Sequence, residues 1–185
     1  ENVQITRCED YGPGTKLLGS LDKLNKDCLL ILADDDHYYE NYMIEKFFKS
    51  YCSAPENAYS FYVHRVKNLE CGQGADGFAI NTKYLTNIQQ FYNLVIKDYK
   101  ELFLHDDLWI SFFLRELKKC KIISLQKFLK KGQDGKLSLI YKIHNRDNGL
   151  IQEYGSNLNE AVKNRDKISS KSLDYLYMKT KNLTF

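Results

Sequence analysis

The chain has 185 residues, with 27 basic and 24 acidic side chains and a net charge of +3. This length suggests one domain, and a composition with 43% apolar and 14% aromatic residues excludes a disordered chain. The small excess of positive charge is scattered and does not favour nucleic-acid binding, and no apolar run approaches the roughly 20 residues of a membrane span.

The first half of the chain alternates strand and helix signals. In chain order we predict a strand at 3–8, a helix at 16–24, a strand at 28–33, a helix at 42–51, a strand at 59–63, a glycine-rich loop at 72–77 and a strand at 78–80. The run 28–33 is continuously apolar, which is typical of a strand buried on both faces. In the helix at 42–51, the residues expected to face inward are Met43, Ile44, Phe47 and Phe48.

The second half begins with helical patterns. We predict helices at 85–102 and 106–118, a strand at 121–124, hairpin strands at 128–131 and 137–143, and a polar helical tail from 156. Strand–helix alternation indicates an α/β fold with a mixed, mainly parallel sheet flanked by helices. We expect a domain at 1–150 and a C-terminal helical extension at 151–185, packed on it or trailing from it.

The five cysteines are odd in number, and no two of them are spaced as C-x-x-C. A disulfide framework or a zinc site is therefore not expected. Reduced thiols are typical of a cytosol-like compartment, so we expect a cytoplasmic location.

Three consecutive carboxylates, Asp34, Asp35 and Asp36, follow the apolar run 28–33. Ligands of open α/β sheets bind outside the carboxyl ends of strands, and clustered carboxylates repel one another unless a cation lies among them. In an extended segment Asp34 and Asp36 point the same way, so one divalent ion can bridge them. The alternative is an N-cap cluster for the helix at 42–51, but a cap needs one aspartate and three favour a metal site.

A tight turn, Gly12-Pro13-Gly14, precedes the helix predicted at 16–24. Its glycine spacing is not that of a P-loop. A turn at a helix N-terminus is nevertheless a natural anion site, and Lys16 is placed to reach a phosphate. On its own, this segment favours the alternative of an ordinary turn and cap.

Two further acids, Asp106 and Asp107, open the helix predicted at 106–118. Acids at this position satisfy free amides and the helix dipole, but two exceed what capping requires. A catalytic base or substrate ligand and a capping pair are equal alternatives. The dense glycines of 72–77 either allow the backbone to approach a ligand closely or form a surface loop. His144, by itself, is more typical of a structural or solvent-facing histidine.

Taken in order, these segments resemble a GT-A nucleotide-sugar glycosyltransferase of the small viral or microbial type. The ordered set is Asp-Tyr-Gly-Pro-x-Thr-Lys, an apolar strand into Ala-Asp-Asp-Asp, a glycine loop, Asp-Asp-Leu-Trp-Ile-Ser and a late histidine. The resemblance covers residues 3–145. It implies a GT-A (Rossmann-like) fold, Mn²⁺ or Mg²⁺ as cofactor, and inverting transfer of a sugar from a UDP- or GDP-sugar to a hydroxyl of a glycan or other acceptor.

One part of the family pattern is missing from this sequence. Members usually begin with a strand and helix that hold the nucleotide base, ahead of the Asp-Tyr-Gly-Pro strand. Here that strand starts at residue 3, so we expect either that this unit lies outside the sequence or that the protein is a reduced member without the first nucleotide-binding strand.

The resemblance also implies roles for single residues. Asp34 and Asp36 hold the metal against the donor diphosphate, with His144 as a late metal ligand. Asp107, together with Asp106, supplies the catalytic base. The residues implied to contact the donor are Asp10, Tyr11, Gly12, Lys16, Asp34, Asp35, Gly74, Asp76 and Gly77.

Two other functions are alternatives to a transferase. A metal-dependent phosphohydrolase or nuclease would use the same acids but needs a second metal about 4 Å from the first, and the sequence offers no obvious nucleophile or set of histidines for it. A non-catalytic nucleotide-sugar-binding remnant follows if the first unit is lost. We expect the transferase, with a nucleotide sugar and a hydroxyl acceptor as partners, and with neither nucleic acid nor a membrane span.

Overall fold

The computed structural model describes residues 4–131, 136–143 and 157–185. Its strands are β1 (Leu29–Leu32), β2 (His37–Tyr39), β3 (Ala58–Ser60), β4 (Val63–Val66), β5 (Leu69–Gly72), β6 (Phe78–Asn81), β7 (Ile122–Ser124) and β8 (Tyr141–Ile143). Its α-helices are α1 (Thr15–Leu18), α2 (Met43–Ser53), α3 (Ile88–Phe91), α4 (Lys100–Phe103), α5 (Asp106–Phe112) and α6 (Leu158–Thr180). Wider π-helical turns, Tyr92–Ile96 and Phe113–Leu117, extend α3 and α5.

Four strands form a mixed sheet in the order β1-β6-β3-β7. Strand β6 pairs antiparallel with both β1 and β3, and only β3 and β7 pair in parallel. The prediction of an α/β fold with a mixed sheet is confirmed, but for the described strands a mainly parallel sheet is wrong. The reason is the chain between β3 and β6, which is a hairpin of β4 and β5 rather than the crossover helix that a parallel neighbour requires.

The sheet has a core on each face, because neighbouring residues of a strand point to opposite sides. Phe78 and Ile80 of β6 belong to the larger core, whereas Ala79 between them belongs to the smaller one. The larger core joins the sheet to α1, α3, α5 and α6. The smaller core is made by α2 and its neighbours: Met43, Phe47, Tyr59, Phe61, Ala79, Leu125 and Ile140.

Helix α2 packs only one column of side chains against the sheet. Met43 and Phe47 are buried, as expected, whereas Ile44 and Phe48 are 64% and 57% exposed. The inward orientation predicted for Ile44 and Phe48 is therefore wrong. Residues four apart lie above one another on a helix, and here only the column of Met43 and Phe47 contacts the sheet.

The predicted strands at 28–33, 78–80 and 121–124 and the helices at 42–51 and 106–118 are confirmed within a few residues. Three of the β1 residues are only half-buried, however, because β1 ends the described sheet and has a paired neighbour on one side only. Residues 4–8 do not form the predicted strand. The helix predicted at 16–24 is α1 followed by a 3₁₀ turn, with Gly19 as the C-cap between them.

Other predicted elements are divided in the structure. The helix expected at 85–102 is α3 with its π turn and then α4. The strand expected at 59–63 is the end of β3 and the start of β4. In the predicted hairpin, Lys131 lies opposite Leu137 in a single bridge, whereas β8 pairs with β2.

Helix α6 confirms the predicted helical tail. It has 23 residues, and the side chain of its N-cap residue, Asn157, accepts a hydrogen bond from the Glu160 N–H at 3.0 Å. Leu173 and Leu176 of this helix are fully buried in the larger core. Among the described helices, none combines the length and apolar character that crossing a membrane requires.

Candidate functional site

A polar pocket of about 630 Å³ lies at the carboxyl end of β1, where the loop before α1 and the start of α5 also meet. Its lining contains five of the acids that the sequence singled out and one lysine. The lining residues are Gly12, Pro13, Thr15, Lys16, Ala33, Asp34, Asp35, Asp36, Ala75, Asp106 and Asp107. The structure thus brings together four segments of the chain, with lining residues that are up to 95 positions apart in the sequence.

Lys16 connects these segments through its ammonium group. Its Nζ lies 2.7 Å from Asp34 Oδ1 and 3.1 Å from Asp106 Oδ2. Burial by itself lowers the pKa of Lys16, but the negative charges of Asp106, Asp34 and Asp107 outweigh it and raise the pKa above its ordinary value. Lys16 is therefore a permanent positive charge among the carboxylates.

Asp107 is held by the glycine loop rather than by its own helix. Its Oδ1 accepts a hydrogen bond from the Gly74 N–H at 2.8 Å. Burial raises the pKa of Asp107 well above its usual value, and the neighbouring charge of Asp106 acts in the same direction, while Lys16 and the Gly74 N–H oppose them. The result is a carboxylate that is more basic than an ordinary aspartate. Asp107 also lines a second pocket, of about 240 Å³.

Gly74 allows this arrangement because it has no side chain. A Cβ at this position would lie 2.6 Å from Lys16 Nζ and 3.2 Å from Asp107 Oδ1. The two residues before Gly74 are fixed by side chains: Ser111 Oγ of α5 accepts a hydrogen bond from Gly72 N–H at 3.1 Å, and Ser60 Oγ accepts one from Gln73 N–H at 3.1 Å. The backbone at Gly74 therefore comes close to the acid and lysine cluster, and the predicted close approach to a ligand stays a prediction.

The acids after β1 form a candidate metal centre with a residue to which we assigned no role. Asp34, Asp36 and His37 each offer a ligand atom, and the three atoms lie within 4.8 Å of one another. His37 Nδ1 contacts Asp36 Oδ1. Strand β2 begins at His37, and the N-cap residue of α2, Tyr42, makes no capping bond through its side chain. The alternative interpretation of the acids as an N-cap cluster is therefore wrong.

Tyr39 is another functional candidate that the sequence did not indicate. Its hydroxyl oxygen accepts a hydrogen bond from the backbone N–H of Asp34 at 2.8 Å. It thereby orients the first residue of the acidic run. The signal for His37 is its place directly after the acids, whereas nothing in the sequence indicates that Tyr39 folds back onto them.

His144 lies outside the described residues. The residue before it, Ile143, pairs with His37 in the ladder of β2 and β8. Its predicted role as a metal ligand stays a prediction.

Neither Asp76 nor Gly77 lines the pocket, but Asp76 lies close enough to His37 and Asp34 for their charges to affect it. Asp76 is 4% exposed, and burial raises its pKa to about 6, with His37 lowering it and Asp34 raising it. Gly77 has φ +77°, and a Cβ there would lie 2.9 Å from the ring of Phe47. Its role in the structure is a turn against α2.

The first three residues of the Asp-Tyr-Gly-Pro motif shape the turn before α1. Asp10 Oδ1 accepts a hydrogen bond from Gly12 N–H at 2.8 Å. The ring of Tyr11 packs edge-on against Tyr92, with centroids 5.3 Å apart. Gly12 has φ +60°, and a Cβ there would lie 2.6 Å from the Phe103 ring. Of these three residues, only Gly12 is in the pocket lining.

The chain has no match among models of known families, curated proteins or solved structures. The pocket combines one fixed positive charge, a group of candidate metal ligands and a basic carboxylate.

Proposed function

We propose that the protein is a metal-dependent glycosyltransferase that moves a sugar from a nucleotide-sugar donor to a hydroxyl acceptor with inversion at the anomeric carbon. The observation that carries the proposal is the position of Lys16 between Asp34 and Asp106, at 2.7 and 3.1 Å, in a pocket that Asp107 also lines. A diphosphate leaving group needs positive charge, and an attacking hydroxyl needs a base. This pocket has candidates for both.

The residues after β1 fit a divalent cation. Asp34 and Asp36 offer carboxylate oxygens and His37 offers an imidazole nitrogen, and Asp34 has a second oxygen beyond the one that contacts Lys16. An imidazole among the ligands favours a transition metal such as Mn²⁺ over Mg²⁺, which prefers oxygen ligands. A divalent ion bound here would supply Lewis-acid charge for the leaving diphosphate.

Lys16 and Asp107 perform the steps assigned to the protein. The Lys16 ammonium compensates negative charge that develops on the diphosphate as the bond to the anomeric carbon breaks. The Asp107 carboxylate takes the proton of the acceptor hydroxyl while the oxygen of that hydroxyl forms the new bond to the anomeric carbon. We assign this role to Asp107 rather than Asp106 because Asp107 lines both pockets, whereas Asp106 is 7% exposed and faces Lys16.

A two-metal phosphohydrolase is less well supported. In the described part of the chain, Asp34, Asp36 and His37 are the one group of three or more side chains close enough together to hold a metal ion. A second ion about 4 Å away would need a further set of ligands. A non-catalytic protein that binds nucleotide sugars would use the same pocket, and an assay for the transferred product distinguishes it from a transferase.

Thermal unfolding with nucleotide sugars tests the proposal. We expect UDP- or GDP-sugars to raise the melting temperature of the wild type only when Mn²⁺ is present. A ligand at about 100 times its Kd adds about 2.7 kcal/mol, or roughly 5–10 °C for a chain of this length. Asp36→Asn should lose this rise in melting temperature, because it removes a carboxylate ligand of the metal. Without ligand the variant should melt as the wild type does, because the Asp36 side chain is 65% exposed.

Asp22→Asn is the matched control, since Asp22 is exposed and contacts Lys23 away from the pocket. An unchanged Mn²⁺-dependent shift in Asp36→Asn would remove the metal assignment. No shift with any nucleotide sugar would remove the transferase. Formation of a glycoside then separates a transferase from a binding protein, and release of a nucleoside monophosphate and a sugar 1-phosphate from the donor would indicate a phosphohydrolase instead.

A further inference from the structure

The second pocket that Asp107 lines has walls of a different kind from the first. It has a volume of about 240 Å³ and lies between the β4–β5 hairpin and helix α6. Its polar lining includes His64, Lys67, Gln73, Arg165 and Ser169. The hairpin is attached to α6 by an ion pair between Lys67 and Asp174 and by a hydrogen bond from Asn68 to the Tyr177 hydroxyl at 3.4 Å. The two walls are therefore held against each other.

Hydrogen-bond donors dominate this pocket. Burial lowers the pKa of His64, and the positive charge of Arg165 lowers it further, against the opposite effect of Asp166. The imidazole is thus neutral at pH 7, and the guanidinium lies close enough to affect it. Gln73 Nε2 lies 3.4 Å from His64 Nδ1, which leaves the other ring nitrogen of His64 to carry the proton as a donor.

Arg165 is the cation of this pocket with the most capacity for an added anion. Its ion pair with Asp166 is 3.6 Å long, which is beyond hydrogen-bonding distance. The other two cations are engaged, because Arg65 lies 3.3 Å from Glu70 and Lys67 contacts Asp174. The lining carries these three cations against the carboxylates of Asp107 and Asp166. A guanidinium forms two parallel hydrogen bonds to a carboxylate or phosphate, which makes Arg165 suited to such a group.

We infer that this pocket binds the acceptor and that the acceptor is a sugar carrying an anionic group, a carboxylate or a phosphate, which pairs with Arg165. This inference rests on the proposed function, because it takes Asp107 to be the base that meets the acceptor hydroxyl. His64 and Ser169 would donate hydrogen bonds to the ring hydroxyls. Asp107, shared by both pockets, would lie between the acceptor and the donor sugar.

The test measures binding of three related probes to the metal-free protein: glucuronate, glucose 6-phosphate and glucose. They share a ring and differ in the charge at one end. Backbone amide shifts locate the binding, with Gln73 and Ser169 reporting on this pocket and Gly12 and Ala33 on the other. We expect at least one anionic probe to bind about tenfold or more tightly than glucose and to shift Gln73 and Ser169.

Arg165→Gln should weaken the binding of that anionic probe by about tenfold or more. The matched control is Lys167→Gln, which removes one positive charge from the same helix at an exposed residue outside the lining, and it should bind as the wild type does. Melting temperatures check that both variants fold. Whichever anionic probe binds distinguishes a carboxylate from a phosphate acceptor.

Three results would overturn the inference. They are binding of glucose as tight as that of the anionic probes, equal affinity of Arg165→Gln and Lys167→Gln for the anionic probe, and amide shifts confined to Gly12 and Ala33. Absence of binding by all three probes would overturn it as well. Because the titrations contain neither metal nor nucleotide, they are independent of the donor experiment. If nucleotide sugars bind with Mn²⁺ but anionic sugars do not bind in this pocket, the proposed transferase remains and uses another acceptor. If anionic sugars bind here but no nucleotide sugar binds with Mn²⁺, the pocket is an anionic-sugar site and the transferase is contradicted.

Discussion

At the scale of single residues, the site is a balance between carboxylates and one ammonium. Lys16 compensates Asp34 and Asp106 directly, whereas Asp107 receives a backbone N–H from Gly74. Each acid therefore has a different environment although all lie in one pocket. Different environments separate the roles of chemically identical groups, because burial and neighbouring charge shift each proton affinity separately.

Replacing Asp107 by asparagine tests its assignment as the base. The amide oxygen can still accept the Gly74 N–H, so the loop should stay in place. The ionised carboxylate is disfavoured by burial and by Asp106, so its removal should not lower the melting temperature at pH 7. Turnover should fall by about 10²–10⁴ while donor binding is retained.

Steady-state rates and donor affinity of Asp107→Asn are compared with those of Asp106→Asn. Asp106→Asn is expected to lose stability, because Lys16 loses a buried partner. Normal turnover per folded molecule in Asp107→Asn would contradict the assignment. So would loss of turnover in Asp106→Asn alone, and a product with retained anomeric configuration would reject inversion.

Asp76 should make the stability of the metal-free protein depend on pH. Its pKa is raised to about 6, chiefly by burial, so between about pH 4 and 6 the folded state binds more protons than the unfolded state. Stability therefore falls as the pH rises through this window, by on the order of 1–3 kcal/mol. Asp76→Asn removes the titrating group and should flatten this part of the profile.

Urea unfolding at several pH values with a chelator present measures the effect of Asp76. The chelator keeps ions away from the neighbouring His37 and Asp34. The exposed control Asp22→Asn should follow the wild type. Parallel profiles for the wild type and Asp76→Asn would show that this carboxyl does not titrate in the window.

At the scale of elements, two glycines of one loop, Gly72 and Gly74, have different tasks. A Cβ at Gly74 would meet the end of the Lys16 side chain, which can move, whereas a Cβ at Gly72 would lie 2.9 Å from the buried ring of Phe78. Gly74→Ala should fold with little loss of stability and bind the donor more weakly, because Lys16 is displaced. Gly72→Ala should lower the free energy of unfolding by about 1–3 kcal/mol, since closely packed core residues such as Phe78 cannot move far to make room for the methyl group.

Urea unfolding and donor titration of the two glycine variants together check this contrast. The variants differ only in which of the two loop positions gains a methyl group. Equal loss of stability in both would show that Lys16 cannot move aside, and unchanged donor binding in Gly74→Ala would show that the position of Lys16 is unimportant.

At the scale of the whole molecule, helix α6 shares a core with the sheet. Leu173 is fully buried in the cluster that also contains Trp109, the one tryptophan of the sequence. Tryptophan fluorescence therefore reports on the region beneath the site, and circular dichroism is dominated by the helices. We expect both signals to change in one cooperative transition.

Leu173→Ala should lower the free energy of unfolding by about 2–5 kcal/mol in both signals, because a cavity opens in the shared core. Met178→Ala in the same helix is the control, since Met178 is 64% exposed. Separate transitions, with the fluorescence unaffected by Leu173→Ala, would show that residues 151–185 are an extension that unfolds independently of the predicted domain at 1–150.

Local signals in the sequence determined the short-range features of this protein. The apolar run before Asp34 predicts β1 and the acids at its end, because burial of an apolar segment is favourable and its polar successor leaves the core. The run does not predict that β1 is only half-buried, since that depends on its place at the end of the described sheet. The periodicity of α2 and α5 predicts those helices for the same reason. It does not predict that Ile44 stays exposed, since a helix pattern does not say how wide the covering surface is.

Only the tertiary structure decided which distant residues meet. Strand β6 returns antiparallel between β1 and β3, and no residue pattern within those strands specifies that order. The β4–β5 hairpin turns at Lys67 with φ +53° and without a turn glycine, so it leaves no local signal. Lys16 reaches Asp106 across 90 positions, and Asp107 comes to line two pockets, because packing of α5 against the sheet and α6 brings these groups together. Such contacts depend on the sum of many weak burial energies rather than on any local preference, so they appear only in the folded chain.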